Sequence, residues 1–325
     1  MTQTPPSNAP LVVVLDDGYG DTHTEALALQ SLAARVVLRP CHGRAEAVRQ
    51  AVEGADAVMV SESPIDAEAI ARMPACRAIV RYGVGVDNID RAAAVAAGIT
   101  VANVPDYGVD EVSDHALALL LAVCRRIVSR DRAVRAGICG VARAEQIYRF
   151  AGTTLGIIGA GRIGRQFGRK AQALGFAQVL VHDPRATDLP AGWQKASIDQ
   201  ICTAAQVISL HVPLTAETHH QIDARRLALM GPRTILINTS RGGLIDTTAL
   251  AQALHRGQIF GAGLDVFEIE PPAPSHPIFA APNTVLSDHT GWYSEASVTD
   301  LRRKAAEEVL RILTGQPPHN PVAIP

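Results

Sequence analysis

Two series of short apolar runs alternate with alanine-rich stretches of helical period, and this alternation restricts the folds open to the chain. The first series contains LVVVL, RVVLR, AVMV, AIVRY and ITVANV. The second contains TLGII, QVLVH, QVISLH, RTILIN, QIFGAGLDVF and NTVLSDH. Strands that alternate with helices at this spacing form parallel sheets covered by helices. We therefore predict an α/β protein with two doubly wound parallel-sheet domains.

The alternation is interrupted once, after the ITVANV run. The residues PDYG at 105–108 predict a turn, and residues 109–128 have the pattern of one long helix with an apolar centre. A final helix is expected over residues 294–313, because Gly315 and two prolines follow it. By the logic of this fold class, the final helix returns to the first domain. We predict one discontinuous domain of residues 1–104 and 294–325, and a second domain of residues 105–293.

The composition argues against several classes of partner. The formal net charge is only -2 over 325 residues, which provides no basic surface for nucleic acid or for an anionic membrane. The longest apolar run, HALALLLAVC, has about half of the roughly 20 residues needed to cross a bilayer.

The five cysteines have no C-x-x-C spacing, so we predict neither a metal site nor a disulfide framework. The N-terminus has no export pattern, and we expect a cytoplasmic protein.

The segment GAGRIG at residues 159–164 follows a predicted strand and opens a helix predicted over residues 162–174. Glycines at these positions permit a tight turn, a close approach of the backbone to a pyrophosphate, and close packing of helix on strand. The helix N-terminus then offers N–H groups to the phosphates. Ordinary strand–helix turns also contain glycine, but this context predicts a dinucleotide site. Its residues are Gly159, Gly161, Arg162, Ile163 and Gly164.

Asp183 follows the next predicted strand, 22 residues after Gly161. A carboxylate at this point can accept hydrogen bonds from the ribose hydroxyls of adenosine. The 2′-phosphate of NADP would lie against this negative charge, although Arg185 could compensate in part. We therefore predict NAD as the cofactor. The alternative for Asp183 is a simple turn residue before Pro184.

Three side chains that follow later strands have the chemistry for hydride transfer to a 2-oxo acid. Arg241 can hold a carboxylate while it polarises the adjacent carbonyl. His289 can protonate the developing alkoxide, and Glu270 can raise the pKa of that imidazole. Taken singly, they could be a surface cation, a core histidine and a loop acid. All three, however, follow strands whose carboxyl ends form the ligand edge of such sheets.

At these residues the chain resembles the D-isomer-specific 2-hydroxyacid dehydrogenase family. The matching segments are YGVGVDNID, TLGIIGAGRIG, HVPLT, INTSRGGLID, GLDVFEIEP and HTGWYSE, and they cover nearly the whole chain. The resemblance implies a flavodoxin-like substrate domain (1–104 and 294–325) and a Rossmann NAD-binding domain (105–293). It also implies that the catalytic residues are Arg241, Glu270 and His289.

The resemblance extends to residues that bind cofactor and substrate. It implies that Asp265 contacts the nicotinamide carboxamide and that backbone amides around Val84 and Gly85 hold the substrate carboxylate. Further residues on the cofactor side are His211, Pro213 and Thr239.

Two other matches concern the substrate side chain. Arg81 precedes the YGVGVDNID loop, as an arginine does in phosphoglycerate-dehydrogenase-like and C-terminal-binding-protein-like members, and could bind a distal anion. The alternative is a strand-end arginine that extends to water. Trp292 resembles the aromatic residue of the corepressor-like branch and could line the substrate pocket, or it could pack in the core.

These observations predict an NAD-dependent reductase of a small 2-oxo acid such as hydroxypyruvate, glyoxylate or 3-phosphohydroxypyruvate. By the same resemblance we expect a homodimer, with residues 109–128 and 132–150 at the interface. Two alternatives stay open: an NAD(H)-sensing, corepressor-like binding protein, and a phosphite-type dehydrogenase. The sequence does not select the physiological acid or the preferred direction of reaction.

Overall fold

The computed structural model describes residues 9–16, 18–141 and 145–323. The described residues divide into two compact units, one within Met1–Gly108 and Ser294–Pro325 and the other within Val109–Tyr293. The N-terminal residues 1–8, and residues 142–144 of the predicted interface segment, lie outside the described residues. In the part that is described, no helix is long and apolar enough to span a membrane.

The first unit contains a five-stranded parallel sheet. Its strands are β1 (Leu11–Val14), β2 (Arg35–Leu38), β3 (Ala57–Val60), β4 (Ala78–Arg81) and β5 (Thr100–Ala102). The order across the sheet is β2-β1-β3-β4-β5, which is the order of flavodoxin-like folds. The central strand β3 is buried at all four residues. A parallel strand is buried on both faces because helices cover both sides of the sheet.

Five α-helices of the first unit surround this sheet: α1 (His23–Ala28), α2 (Ala45–Ala51), α3 (Ala67–Ala71), α4 (Arg91–Ala96) and α11 (Glu295–Leu313). Asp66 and Asp90 cap α3 and α4 by accepting hydrogen bonds from backbone N–H groups three residues later. Ser294 caps α11 in the same way. The helix α11 packs against α1 and β4, and so joins the C-terminal segment to the first sheet.

The second unit contains a seven-stranded parallel sheet. Its strands are β6 (Thr154–Ile158), β7 (Gln178–His182), β8 (Trp193–Lys195), β9 (Val207–Leu210), β10 (Ile235–Asn238), β11 (Gly261–Leu264) and β12 (Thr284–Leu286). The order is β12-β11-β10-β9-β6-β7-β8, so the chain proceeds outward in one direction from β6 and in the other from β9. Ligands of such sheets bind where the strand order reverses, here between β6 and β9.

Helices lie on both faces of the second sheet: α5 (Val109–Cys124), α6 (Ile127–Arg135), α7 (Arg162–Gln172), α8 (Ile198–Ala204), α9 (Ala224–Leu229) and α10 (Thr247–His255). The strands supply alternate residues to two apolar clusters. Ile158 and Ile208 belong to one, whereas Ile157 and Val207 belong to the other. The two parallel sheets with helical layers confirm the predicted fold class.

One predicted helix is wrong. The sequence predicted a single helix over residues 109–128, but α5 ends at Cys124 and α6 begins at Ile127. Arg126 between them has a φ of 53°, a left-handed conformation that cannot continue a right-handed helix. Its guanidinium donates to the carbonyl oxygen of Gln146 and lies over the ring of Phe260. These tertiary contacts stabilise the break, and the local sequence pattern does not contain them.

Candidate functional site

The glycine-rich loop connects β6 to α7 at the point where the strand order reverses. Gly159 has a φ of 98°, and a Cβ at this position would overlap the carbonyl oxygen of His211. A Cβ on Gly164 would overlap the carbonyl oxygen of Gly159. Both positions therefore require glycine, because the helix, the loop and the segment after β9 lie in direct contact.

Gly161 differs from its two neighbours, because a Cβ there would meet no atom within 4 Å. Open space thus lies beside the N-terminus of α7, whose first residues are Arg162 and Ile163. Helix N-termini bind the phosphates of dinucleotides. Two buried polar atoms, Oγ1 of Thr239 and Nδ1 of His211, also have no hydrogen-bond partner within the described residues. These features fit an NAD site at this edge of the sheet.

Asp183 follows β7, as predicted, but its carboxylate already has backbone partners. One oxygen accepts a hydrogen bond from the N–H of Ala160 at 2.8 Å. The other accepts from the N–H groups of Arg185 and Ala186. Asp183 therefore fixes the glycine-rich loop and also places a negative charge beside it. Its contact with a ribose stays a prediction.

His211 follows β9 and lies against the same loop. Its Nε2 is 2.9 Å from the hydroxyl oxygen of Ser209. Burial lowers the pKa of His211 to about 3, so the imidazole is neutral at physiological pH. A neutral ring on the cofactor side adds no charge to the site. Pro213, two residues later, is exposed.

Arg241 stands at the end of a short loop after β10. Asn238 holds this loop through two bonds: its Nδ2 donates to the carbonyl oxygen of Arg241, and its Oδ1 accepts from the N–H of Ser240. A 3₁₀ helix, Gly242–Leu244, begins directly afterwards. A Cβ on Gly242 would overlap the backbone of Phe267, so the Arg241 loop packs against the segment that leads to Glu270.

Glu270 and His289 form a close pair across the loops that follow β11 and β12. The Nδ1 of His289 lies 2.6 Å from Oε2 of Glu270, and the two side chains are 38% and 36% exposed. Burial alone would raise the pKa of Glu270, but bonds from His289 and from the N–H of Phe267, together with the charges of His289 and Arg241, lower it overall. Glu270 is therefore an anion, and the charge of Arg241 acts on the same pair.

The turn that carries His289 is held by Asp265. His289 has a φ of 59°, which is unusual for a residue other than glycine. Its N–H donates to the carbonyl oxygen of Asp265 at 2.7 Å. The carboxylate of Asp265 accepts from the N–H groups of Thr290 and Gly291. These three bonds fix the left-handed conformation that directs the imidazole.

The predicted substrate-binding loop of the first unit follows β4. The carbonyl oxygen of Gly83 accepts from the N–H of Val104, and that of Val84 accepts from Nδ2 of Asn103 at 2.6 Å. In a trans peptide the N–H points opposite to the C=O. The N–H groups of Val84 and Gly85 therefore point away from Asn103 and Val104. Successive N–H groups directed to one side are suited to an anion.

Comparison with known proteins identifies the family. The family model described as "D-isomer specific 2-hydroxyacid dehydrogenase, NAD binding domain" matches residues 117–291, more than half of the chain. The chain belongs to this family. It is an NAD-dependent oxidoreductase that acts on the CH–OH group of a 2-hydroxy acid. The predicted family, enzyme class and cofactor are confirmed.

Individual relatives agree with this assignment. The chain is 38% identical over 268 residues to a glyoxylate reductase of Korarchaeum cryptofilum, covering 81% of both chains. It is 36% identical to a glycerate dehydrogenase of Methylorubrum extorquens, covering 84% of this chain and 87% of the relative. Among solved structures, a D-lactate dehydrogenase from Aquifex aeolicus in complex with NAD and lactic acid has a TM-score of 0.86. The identity is 28%, and the match covers 97% of this chain and 99% of that one.

Two residues of this dehydrogenase that support His289 were not predicted. His115 lies 2.7 Å from the hydroxyl of Ser287 through its Nε2, and the same nitrogen is 3.3 Å from Oδ1 of Asp265. The hydroxyl of Ser287 also donates to Asp265. His115 begins the apolar run of α5, so the sequence suggested only helix packing there. The polar histidine within that run was the one available signal.

A buried polar network of the dehydrogenase holds the start of the substrate loop. The hydroxyl of Tyr82 donates to Glu25, which also accepts two bonds from Arg302. Arg302 donates further to Asp21. Burial and the charge of Glu25 raise the pKa of Tyr82, so its hydroxyl stays protonated and donates. Tyr82 directly precedes Gly83. The network therefore fixes the chain just before the amides of Val84 and Gly85, which are predicted to bind an anion.

Arg81 and Trp292 lie near predicted substrate residues within their own units. A Cβ on Gly83 would overlap the guanidinium of Arg81, so this cation rests against the substrate loop. Trp292 is half-buried, and its ring lies 5.7 Å from that of Tyr293 in an edge-to-face contact. Their contacts with the substrate stay predictions.

Proposed function

We propose that this dehydrogenase reduces a small 2-oxo acid to the corresponding D-2-hydroxy acid, with His289 as proton donor and, in the reverse direction, as base. The observation that carries the proposal is the 2.6 Å contact between His289 and Glu270. The carboxylate of Glu270 accepts from Nδ1 of His289 and so fixes the orientation of the ring. A fixed ring is needed for a proton to reach the developing alkoxide.

The contact also assigns the two ring nitrogens. Nδ1 faces Glu270 and donates to its Oε2, so Nε2 is the nitrogen left for the substrate. In the reduction, the Nε2–H bond breaks and the proton moves to the carbonyl oxygen, while His289 becomes neutral. Bound NADH supplies the hydride for the carbonyl carbon. Glu270 stays ionised throughout and stabilises the imidazolium before the transfer.

The remaining residues bind and orient. We propose that Arg241 holds the substrate carboxylate and polarises the adjacent carbonyl, because a guanidinium can form two parallel bonds to a carboxylate. The N–H groups of Val84 and Gly85 are proposed to bind the carboxylate, and Arg81 a distal anion on the substrate. Trp292 is proposed to line the substrate pocket. Arg81 favours substrates with a second polar group, such as hydroxypyruvate or 3-phosphohydroxypyruvate.

The cofactor residues are proposed by their place at the carboxyl edge of the second sheet. Gly159, Gly161 and Gly164 would admit the pyrophosphate to the start of α7, beside Arg162 and Ile163. Asp183 would accept from the adenosine ribose, and Asp265 would contact the carboxamide. Thr239 and His211 have buried polar atoms that a cofactor could satisfy. Pro213 would line the adenosine side.

We propose a cytoplasmic homodimer whose interface includes the segment from α6 towards β6. None of the residues of α6 is buried. Large apolar side chains of this segment are exposed, including Ile127 at 56%, Val134 at 55% and Ile138 at 60%. A run of exposed apolar side chains on a soluble chain marks a contact surface. The family resemblance supports a second copy of the chain as the partner.

The test is NADH oxidation with hydroxypyruvate, glyoxylate, 3-phosphohydroxypyruvate and 4-methylthio-2-oxobutanoate, with NADPH assayed in parallel. We expect turnover with NADH, and a loss of about 10²–10⁴-fold in kcat for His289→Gln, because general acid catalysis contributes that much. The matched control is His255→Gln, an exposed histidine on α10. It should leave kcat unchanged.

Other outcomes would replace the proposal. One such outcome is that the protein binds NADH but turns over none of the oxo acids. If its biological function also survives His289→Gln, the protein is a cofactor-sensing binding protein. Oxidation of phosphite with NAD, together with inactivity towards oxo acids, would indicate the phosphite-type reaction.

A further inference from the structure

Three side chains of types that can bind metal ions lie close together, and none of them belongs to the proposed catalytic residues. His219 and His220 follow β9 in a turn, and Glu268 follows β11. One ligand atom from each of the three residues lies within 4.8 Å of the others. The closest pair is Nε2 of His220 and Oε2 of Glu268, at 2.8 Å. The fold thus brings Glu268 to two adjacent histidines, although 48 positions separate it from His220 in the sequence.

The carboxylate of Glu268 is oriented by its own partners. Its Oε1 accepts hydrogen bonds from both the N–H and the hydroxyl of Thr247. Oε2 is therefore the oxygen directed to the histidines. Metal-binding carboxylates are held in this manner by residues behind them, which fixes the free oxygen towards the ion.

The two imidazoles are also held as a pair. Their rings stack, with centroids 4.0 Å apart and planes 23° apart. His220 has a φ of 48°, and its N–H donates to the carbonyl oxygen of Gly243. A left-handed conformation at a residue other than glycine costs free energy and is concentrated at functional positions. In this conformation the His220 ring stacks on that of His219, and its Nε2 contacts Glu268.

We propose that His219, His220 and Glu268 bind a divalent transition-metal ion of the Zn²⁺ class. Two imidazoles and one carboxylate suit Zn²⁺, which takes nitrogen and oxygen ligands at about 2.0–2.2 Å in a tetrahedral arrangement. Nε2 of His220 and Oε2 of Glu268 are 2.8 Å apart, so an ion would replace their direct contact, and the His219 ring would turn to supply the third ligand atom. Water supplies the fourth ligand. The ion joins the turn after β9 to the segment two residues before Glu270.

The proposal differs from a simple ion pair in one testable respect. An ion pair between His220 and Glu268 needs nothing from His219, whereas a metal site does. His219→Ala removes one of the three ligands and leaves the 2.8 Å contact between His220 and Glu268 in place. Zinc binding should therefore depend on a residue that the ion pair does not use.

The experiment is a Zn²⁺ titration of untagged, EDTA-treated full-length protein, followed by calorimetry and by metal analysis after dialysis. We expect one Zn²⁺ per chain. His219→Ala and Glu268→Gln should each weaken binding by about tenfold or more, since even residues behind the ligands contribute 10–100-fold in such sites. Added Zn²⁺ should raise the Tm of the wild type and have a smaller effect on His219→Ala. Co²⁺ in place of Zn²⁺ should give the visible absorption of a four- or five-coordinate site.

His255→Ala is the matched control, because it removes another exposed histidine of the same unit. It should bind Zn²⁺ as the wild type does. Saturable binding that is equally strong in His219→Ala and in Glu268→Gln would overturn the proposal. So would the absence of saturable binding at micromolar Zn²⁺. Neither result depends on whether the protein reduces an oxo acid, so the site and the reductase function are tested separately.

Discussion

The turn at His289 and the loop at Gly83 both follow a parallel strand, but their backbones are held in opposite ways. At His289 the N–H groups are used: those of His289, Thr290 and Gly291 all donate to Asp265. At Gly83 the carbonyl oxygens are used, because Val104 and Asn103 donate to them. The first arrangement presents a side chain, and the second presents backbone N–H groups.

This difference indicates what each loop can bind. A turn whose N–H groups are satisfied by the carbonyl oxygen and the carboxylate of one buried residue has no backbone donor left for an anion, so we expect its function to depend on the imidazole. A loop whose carbonyl oxygens are satisfied from behind has N–H groups directed outward, so it suits a carboxylate. The same strand-to-loop position is therefore proposed to serve proton transfer in one unit and anion binding in the other.

Asp265→Asn should have the largest effect, because the amide cannot accept every bond that the carboxylate accepts. We expect a loss of about 3 kcal/mol in the free energy of unfolding, since buried donors lose a charged acceptor. Displacement of the imidazole should lower kcat by about 10²-fold. Urea unfolding and steady-state kinetics measure the two effects. Asp188→Asn, at a side chain that is 85% exposed, is the control and should change neither.

The same variant separates two roles for Asp265. If Asp265 acts by holding the His289 turn, kcat falls and KM for NADH changes little. If the residue acts mainly through the nicotinamide carboxamide, KM for NADH rises instead. A variant with an unchanged kcat would contradict the role of Asp265 in the turn.

Gly83→Ala should have the next largest effect, and it acts on the other loop. The φ of 132° at Gly83 strains any other residue, and the added Cβ must displace the guanidinium of Arg81. Strain of this kind costs about 1–3 kcal/mol. We expect KM for a 2-oxo acid to rise at least tenfold while KM for NADH stays unchanged.

A double-mutant cycle identifies the source of that effect. In an Arg81→Ala background the steric clash is absent and only the backbone strain remains, so Gly83→Ala should cost less there. Equal costs in both backgrounds would show that the position of the guanidinium against the loop does not matter.

Much of the fold, and part of the site, could be predicted from local patterns. The period of the apolar runs predicted both sheets, and the glycine spacing located the loop at the start of α7. Arg241, Glu270 and His289 stand out in the sequence because each lies in the segment after a predicted strand, and their catalytic roles stay predictions. The break at Arg126 could not be predicted, because the contacts that stabilise it come from Gln146 and Phe260.

The residues that support the two loops could not be predicted from the sequence either. His115 and Ser287 are 172 positions apart, and Arg302 reaches Glu25 across 277 positions. No periodic sequence pattern links residues so far apart. Each of them can also be explained as an ordinary residue of its own helix or loop. The positive φ of His289 has no sequence signature either, because the residue is not glycine. Its cause is Asp265, which lies on a different loop.

Asn103→Leu should have a smaller effect, on the substrate loop alone. The variant keeps the approximate size of the side chain and adds no charge, but it has no donor, so the bond to the carbonyl oxygen of Val84 is lost. A single hydrogen bond contributes about 1 kcal/mol. We expect KM for the 2-oxo acid to rise about five- to tenfold, with little change in kcat or in KM for NADH. An unchanged KM would mean that Val84 needs no such support.

The smallest expected effect is a difference in acid sensitivity between the two loops. Burial alone would raise the pKa of Asp265, but bonds from His115, Ser287 and the N–H of Gly291, with the charge of His115, lower it below its usual value of 3.8. A carboxyl group with a lowered pKa stabilises the fold above its unfolded pKa, and this contribution is lost as the pH falls through the folded value. Asn103 does not titrate, so its contribution should not change with pH.

Urea unfolding between pH 7 and pH 3 measures this difference. The gap in unfolding free energy between the wild type and Asp265→Asn should stay constant down to about pH 4 and then narrow, by at most about 1.4 kcal/mol per pH unit. The gap between the wild type and Asn103→Ala should stay constant over the whole range. Comparing gaps rather than absolute stabilities removes the titration of groups that do not interact with Asp265, because those groups are common to all three proteins. If both gaps narrowed together below pH 4, the carboxylate of Asp265 would not be the group that makes the His289 turn acid-sensitive, and the electrostatic part of the contrast between the two loops would be wrong.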